Sequence, residues 1–395
     1  MPSAPPRWED RSARFEKAAV NLLEHVGQTA GRAGGFWERI TDGLAVQELW
    51  QQFTAGARTS YELYAAELDW SALEQKKGLK RSLAVGRALL WAMLMKLSPS
   101  RRLFLILLVV VVVLALATQN GFLALLLPLG LFVLLALELA DRVTMKRDLE
   151  IARDIQRWLV PSAPPRIEGV DIAFQTRPAN TVSGDYYDAF LRPATVVQGE
   201  RLLVAVADVA GKSVPAALLM ATIQSSLRTL AAQPATLLEL IAGLNRYASA
   251  HSLAGARFTT AFLAELDLVT LELAYVNAGH VPPVLRRASG KVERLEEGGL
   301  PLGIRPEATY ESGHIRLDRG DLLVILTDGV TEAESEQGEE YGEPRLLGLL
   351  ERPAQVSASA ALKEIMSAVD AFVGPARQHD DITALVMLLP SQPTP

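Results

Sequence analysis

The chain has 395 residues, with 39 Lys and Arg against 45 Asp and Glu, for a net charge of −6. An apolar fraction of 49% excludes a largely disordered chain, and the mild acidity argues against a protein held to nucleic acid by phosphate neutralisation. There is no cysteine, which excludes disulfides, zinc-thiolate sites and a cysteine nucleophile.

The N-terminal stretch Met1 to Arg14 is polar and Pro-rich with no apolar centre, unlike a cleavable signal peptide. Residues 1–97 read as a helical N-terminal region. Phe15, Ala18, Ala19, Leu22, Leu23 and Val26 fall at helical spacing, as do Leu79, Leu83, Leu90 and Leu94. Gly31, Gly34, Gly35 and Gly56 break the run. Residues 7–75 are expected to form a small bundle. Residues 76–102 carry Lys and Arg without a single acid, which suits a helix at the lipid headgroups.

Residues 98–140 are predicted to form a transmembrane hairpin. Leu103 to Ala117 has no polar side chain, Thr118 to Gly121 is turn-like, and Phe122 to Ala140 is again apolar apart from Glu138. About 20 apolar residues span a bilayer. Basic residues flank the pair and the loop has no charge. Both ends are therefore expected in the cytoplasm, giving a multi-pass protein of the cytoplasmic membrane in contact with lipid. The competing reading is a helical hairpin buried in a soluble core.

Residues 141–161 form a linker helix. Met145, Leu149, Ala152, Gln156 and Leu159 follow a 4, 3, 4, 3 spacing, and Ile151, Ile155 and Trp158 make a second strip. Two heptads do not establish a coiled coil. Two readings stand: a helix packed on the next domain, or a homodimeric helix transmitting a signal from the membrane.

The texture changes over residues 162–391. Strand-like runs appear at Val170–Thr176, Arg201–Val209, Arg257–Leu266, Leu271–Asn277, Asp321–Thr327 and Ile382–Leu389, interleaved with helical patterns at Pro215–Leu230, Thr236–Ala250 and Ala360–Phe372. This is an α+β sandwich pattern rather than a βαβ repeat. Aspartates collect at strand ends: Asp208 ends one strand, Asp328 follows another, and Asp380 and Asp381 precede a third. Asp185 and Asp188 sit in a Ser-Gly-Asp-Tyr-Tyr-Asp run. One such Asp is usually a turn or a cap. Several in one domain would repel unless a cation lay between them, and hard oxygen ligands suit Mg²⁺ or Mn²⁺. Two divalent ions about 4 Å apart can turn a shared water into hydroxide and neutralise phosphate oxygens. The Val209 carbonyl could complete the coordination shell.

Other motifs carry less. Gly211-Lys212-Ser213 looks like the end of a P-loop, but Val206 stands where that motif needs glycine. His280 reads as a packing residue more readily than a site residue. His379, beside Asp380, could protonate a leaving group.

Residues 148–390 resemble the SpoIIE-type branch of the metal-dependent type 2C protein serine/threonine phosphatases. The stretches that carry this run in order: Ala152 to Pro161, Ser183 to Asp188, Ala207 to Ala217, Arg257 to Thr260, Asn277 to Pro283, Pro301 to Gly303, Gly320-Asp321, Thr327 to Ala333 and Asp380 to Thr383. The resemblance implies an αββα sandwich with two Mn²⁺ or Mg²⁺ ions at one edge. It implies Asp185 bridging both metals, Asp208 on one, and Asp328 and Asp380 on the other, with Asp381 adjacent. Ala210 and Ser213 depart from the usual Ser and Gly without removing a carboxylate. The implied activity is hydrolysis of phosphoserine or phosphothreonine, the implied partner a STAS-type anti-sigma-factor antagonist. A catalytically silent membrane scaffold is the alternative. A two-metal nuclease is the other rival, disfavoured because residues 141–395 hold 24 Lys and Arg against 33 Asp and Glu.

Overall fold

A computed structural model describes residues 79–391, apart from 120, 193–198, 212–213, 252–256 and 352–356. The bundle expected for residues 7–75, and Lys212 and Ser213, lie outside the described residues. The chain divides into two compact units, Met1–Ala140 and Asp141–Pro395.

In the first unit, helix α1 (Leu79–Lys96) precedes α2 (Pro99–Thr118). Gln119 adopts a left-handed conformation that ends α2, and α3 (Gly121–Leu159) begins the return. The two arms touch. Arg101 donates to Glu138 at 3.0 Å, and the absent side chain of Gly130 leaves room for Leu108. Leu103, Leu107, Leu116, Phe122 and Phe132 face outward. Among the described residues, only α2 is long and apolar enough to cross a membrane, with 11% of its run buried. The second apolar run forms the first half of α3.

The second unit is a four-layer sandwich. One sheet has the order β1 (Asp171–Arg177), β11 (Ile382–Leu388), β10 (Leu322–Leu326), β6 (Val284–Arg286), β7 (Val292–Arg294). The other runs β2 (Tyr186–Arg192), β3 (Arg201–Val209), β4 (Thr259–Asp267), β5 (Glu272–Ala278), β8 (Gly298–Gly299), with β9 (Gly313–Arg316) also on β5. Residues such as Val204, Val206, Phe262, Ile325 and Leu385 fill the space between the sheets. The outer face of the second sheet is covered by α4 (Val214–Ala231) and α5 (Leu237–His251). The outer face of the first sheet is covered by α7 (Gly342–Leu350) and α8 (Ala358–Val373). Both faces of β3, β10 and β11 are therefore dry, which is why these strands read as unbroken apolar runs instead of alternating ones. The helices start where the sequence offers caps: Thr236 and Glu239 form a reciprocal capping box, and the Ser357 hydroxyl accepts from the Ala360 amide.

The linker half of α3 packs on this unit. Leu149, Ala152, Gln156 and Leu159 are half-buried, while Met145, Ile151, Ile155 and Trp158 are exposed. Most of the strip expected as a seam, Leu149, Ala152, Gln156 and Leu159, thus packs against the sandwich of its own chain.

His280 is buried against Thr260, whose hydroxyl lies 3.2 Å from Nδ1. It packs between strands, as expected. Burial pushes its pKa down to about 4 from the ordinary 6.5. With the folded value below the unfolded one, the neutral ring favours the fold above pH 6.5, and that contribution is lost as the pH falls toward 4. Urea unfolding should show about 2 kcal/mol lost between roughly pH 7.5 and 5 through this group. His280→Gln should lack that part of the slope, and identical slopes in the two proteins would refute the assignment.

Candidate metal centre

The acidic residues meet at one end of the two sheets. Pairing of Tyr186 with Ala207 sets Asp185, just before β2, beside Asp208 near the end of β3. In the other sheet β10 and β11 are antiparallel, with Leu326 opposite Ala384. The residues leaving β10 (Thr327, Asp328) therefore lie beside those entering β11 (Asp380, Asp381). Thr327 locks this corner: its amide donates to the Thr383 carbonyl at 3.0 Å, and its hydroxyl accepts from the Thr383 amide at 3.0 Å. The same hydroxyl donates to Asp185 Oδ2 at 3.0 Å, tying one sheet to the other.

Asp328 opens the one-turn helix α6 (Asp328–Thr331). Gly329 follows it, and a β-carbon at this position would collide with the Asp381 carbonyl. Only glycine lets the Asp328 turn press against the Asp380–Asp381 backbone. Gly184 does the same on the other sheet, where a β-carbon would stand 3.1 Å from the Val209 carbonyl and 3.7 Å from Asp208 Oδ1.

The electrostatics report the crowding. Burial first, and then the charges of Asp328 and Asp380, push Asp208 up to about 7, against a lowering hydrogen bond from Asp185. Burial and then Asp208 hold Asp185 well above the carboxylate range, with Thr383 and Thr327 opposing. Asp185, Asp328, Asp380 and Asp381 all act on Asp208. Among the described residues no three acidic or histidine side chains already converge as a finished ion site. What the fold supplies is proximity, with hard oxygen donors whose mutual repulsion a divalent cation would relieve. That donor set fits Mg²⁺ or Mn²⁺.

Asp381 also holds the neighbouring loop. Its Oδ1 accepts from the Ala179 amide at 2.7 Å, and its Oδ2 from the Ser183 hydroxyl at 2.8 Å and the Gly184 amide at 2.7 Å. Both oxygens are spent on the loop that carries Asp185. Asp188, from the same sequence run, lies outside the cluster. It is fully buried and gripped by Arg228 through two 2.7 Å bonds and by the Tyr186 hydroxyl.

Gln156 was not singled out as a site residue. From the linker helix its amide nitrogen donates to the Ser183 carbonyl at 2.6 Å, and its oxygen accepts from the Ser183 amide at 3.0 Å. Ser183 in turn accepts from the Asp185 amide at 3.0 Å. A two-bond clamp thus runs from the linker to the loop holding Asp185. A polar residue on an otherwise apolar strip was the only signal of it. His379 is exposed, its Nε2 3.9 Å from Glu334.

The family described as Stage II sporulation protein E (SpoIIE) matches residues 198–390. The chain is 31% identical over 244 residues to the phosphoserine phosphatase RsbU of Bacillus subtilis, covering 62% of this chain and 70% of RsbU. It is 30% identical over 285 residues to protein IcfG of Synechocystis sp., covering 64% of this chain and 43% of IcfG, so it spans less than half of that relative. Among solved structures, the SiaA-PP2C domain of Pseudomonas aeruginosa shares the fold, with a TM-score of 0.54 at 21% identity over 62% of this chain and 98% of that one.

Proposed function

This chain belongs to the SpoIIE family of PP2C-type serine phosphatases, and on that premise we propose that it is a membrane-anchored, metal-dependent phosphatase of phosphoserine and phosphothreonine in proteins. The observation that carries the metal chemistry is that the strand pairings set Asp185 beside Asp208 and bring Asp328 beside Asp380, with burial and the neighbouring acids pushing Asp208 up to about 7. Asp185, Asp208, Asp328, Asp380 and the Val209 carbonyl would hold two Mn²⁺ or Mg²⁺ ions. Asp208 is the carboxylate best placed to be shared. When bound, such ions supply a water acidified to hydroxide near neutral pH and neutralise the phosphoryl oxygens. Thr327 orients Asp185, and Asp381 fixes the loop before it. The chain contributes no nucleophile of its own to this reading.

Membrane anchoring is supported by the outward apolar surface of α2 and the start of α3, and by Arg101 and Arg102 at the base of α2. The basic flanks favour both termini on the cytoplasmic side. The partner class best matched by likeness to RsbU is a phosphorylated STAS-type antagonist of an anti-sigma factor. Control passes to the centre through the linker: movement of α3 would pull on Ser183 through Gln156.

The test is phosphate release by the purified full chain from a phosphoserine peptide, with Mn²⁺ and with a chelator. Release that needs the metal is expected. In the same assay Gln156→Ala should lower kcat by about 10- to 100-fold, with little change in Tm. Unaltered kcat would exclude the linker route, and release undiminished by chelation would exclude the metal mechanism.

A further inference from the structure

A cavity of about 440 Å³ opens beside the carboxylate centre, and Gly329 and Asp380 belong to its lining. It is large enough for a long side chain. Its walls come from four places in the chain: Arg177 at the end of β1, the segment 332–340, the end of α8 at Asp370, and the approach to β11. A protein segment whose phosphoserine reaches Asp380 must lay its neighbouring residues over this opening.

The charge of the cavity is one-sided. Arg177 is held by Asp370 at 2.6 Å, so that pair is balanced. Arg377 and His379 share the rest of the lining with Glu332, Glu334, Glu340 and Asp380, and His379 Nε2 lies 3.9 Å from Glu334. Glu334 and Glu340 are both exposed and stand opposite each other across a β-bridge. Three backbone bonds hold that hairpin: Ser335 to Glu339 at 2.8 Å, Gly338 to Ser335 at 3.0 Å and Tyr341 to Ala333 at 2.8 Å. The two carboxylates are therefore fixed on one rim and not carried on a loose loop.

We propose that this cavity is a docking subsite for a Lys or Arg side chain close to the phosphoserine of the substrate protein, with Glu334 and Glu340 as the residues that set the preference. The proposal rests on the phosphatase reading and adds to it the charge of the substrate sequence. Neither residue belongs to the carboxylate set of the metal centre. Their effect should fall on KM and leave kcat alone.

The experiment compares three substrates of the full chain with Mn²⁺: a phosphoserine peptide with Lys and Arg flanking, the same peptide with Gln in their place, and p-nitrophenyl phosphate. The native chain should favour the basic peptide about five- to tenfold in kcat/KM, the size expected of two exposed ion pairs. Glu334→Gln with Glu340→Gln should bring the two peptides level through KM and leave p-nitrophenyl phosphate unchanged. Glu334→Lys with Glu340→Lys should reverse the order. Equal kcat/KM for both peptides in the native chain, or a preference that survives the double variant, would overturn the subsite while leaving the phosphatase standing. No release from any of the three would overturn the phosphatase reading and the subsite with it.

Discussion

Asp208→Asn is expected to lower turnover by about 10³-fold or more without unfolding the protein. The asparagine keeps the shape of the side chain and removes the charge that the centre is built around. Asp208 is the acid on which Asp185, Asp328, Asp380 and Asp381 all act. On the proposed reading, removing its charge would weaken the hold on both ions at once, whereas losing a peripheral carboxylate would weaken one. The stability should move the other way. An ionised Asp208 is opposed by burial and by its neighbours, which raise its carboxyl from the ordinary 3.8 to about 7, so the variant in chelator should melt higher than the parent, by a margin that grows between those two pH values and is constant above them. Differential scanning calorimetry beside a phosphate-release assay reads both effects. Activity retained within tenfold would place the shared ligand elsewhere.

Gly329→Ala should be nearly as damaging, by a different route. The added carbon meets the Asp381 carbonyl, which belongs to the backbone and cannot swing aside. The Asp328 turn must move off the start of β11, and Asp328 and Asp380 separate. Overpacking of this kind costs about 1–3 kcal/mol, or several degrees of Tm for a domain of this size. The loss of Mn²⁺ affinity should be larger than the loss of stability implies, because both acids of one ion site are displaced together. A variant that binds Mn²⁺ as the parent does would show that the close approach of these two segments is not needed.

The sandwich was legible in the sequence because its central strands are buried on both faces. Arg201–Val209 and Ile382–Leu388 are apolar nearly throughout, and their neighbours in the sheet do not alter that pattern. Strand β2 was harder to see. Tyr186–Arg192 contains Asp188, which looks out of place in a core strand until Arg228, forty residues on, is found to neutralise it. Short strands such as β6 to β9 depend on pairing with distant partners and leave little local trace.

The acids of the centre were legible as a set, since unpaired carboxylates at several strand ends are costly without a cation. Their division of labour was not. Two adjacent aspartates give no hint which one turns toward the loop. The structure gives that task to Asp381, which spends both oxygens on Ala179, Ser183 and Gly184. Gln156 was hidden for a related reason. Its spacing marked it as part of a helix seam, and only the fold brings Ser183 within reach of its amide. The linker strip could face a second copy or its own domain on spacing alone. In the structure Gln156 of that strip bonds the loop of its own domain.

The most direct measurement is an equilibrium Mn²⁺ titration of the full chain, followed in the same samples by ion count and by phosphate release from a phosphoserine peptide. Two ions per chain, with release rising as they bind, and neither seen with Asp208→Asn, is the expected result. Release that proceeds in chelator, or an ion count left whole by Asp208→Asn, would contradict it.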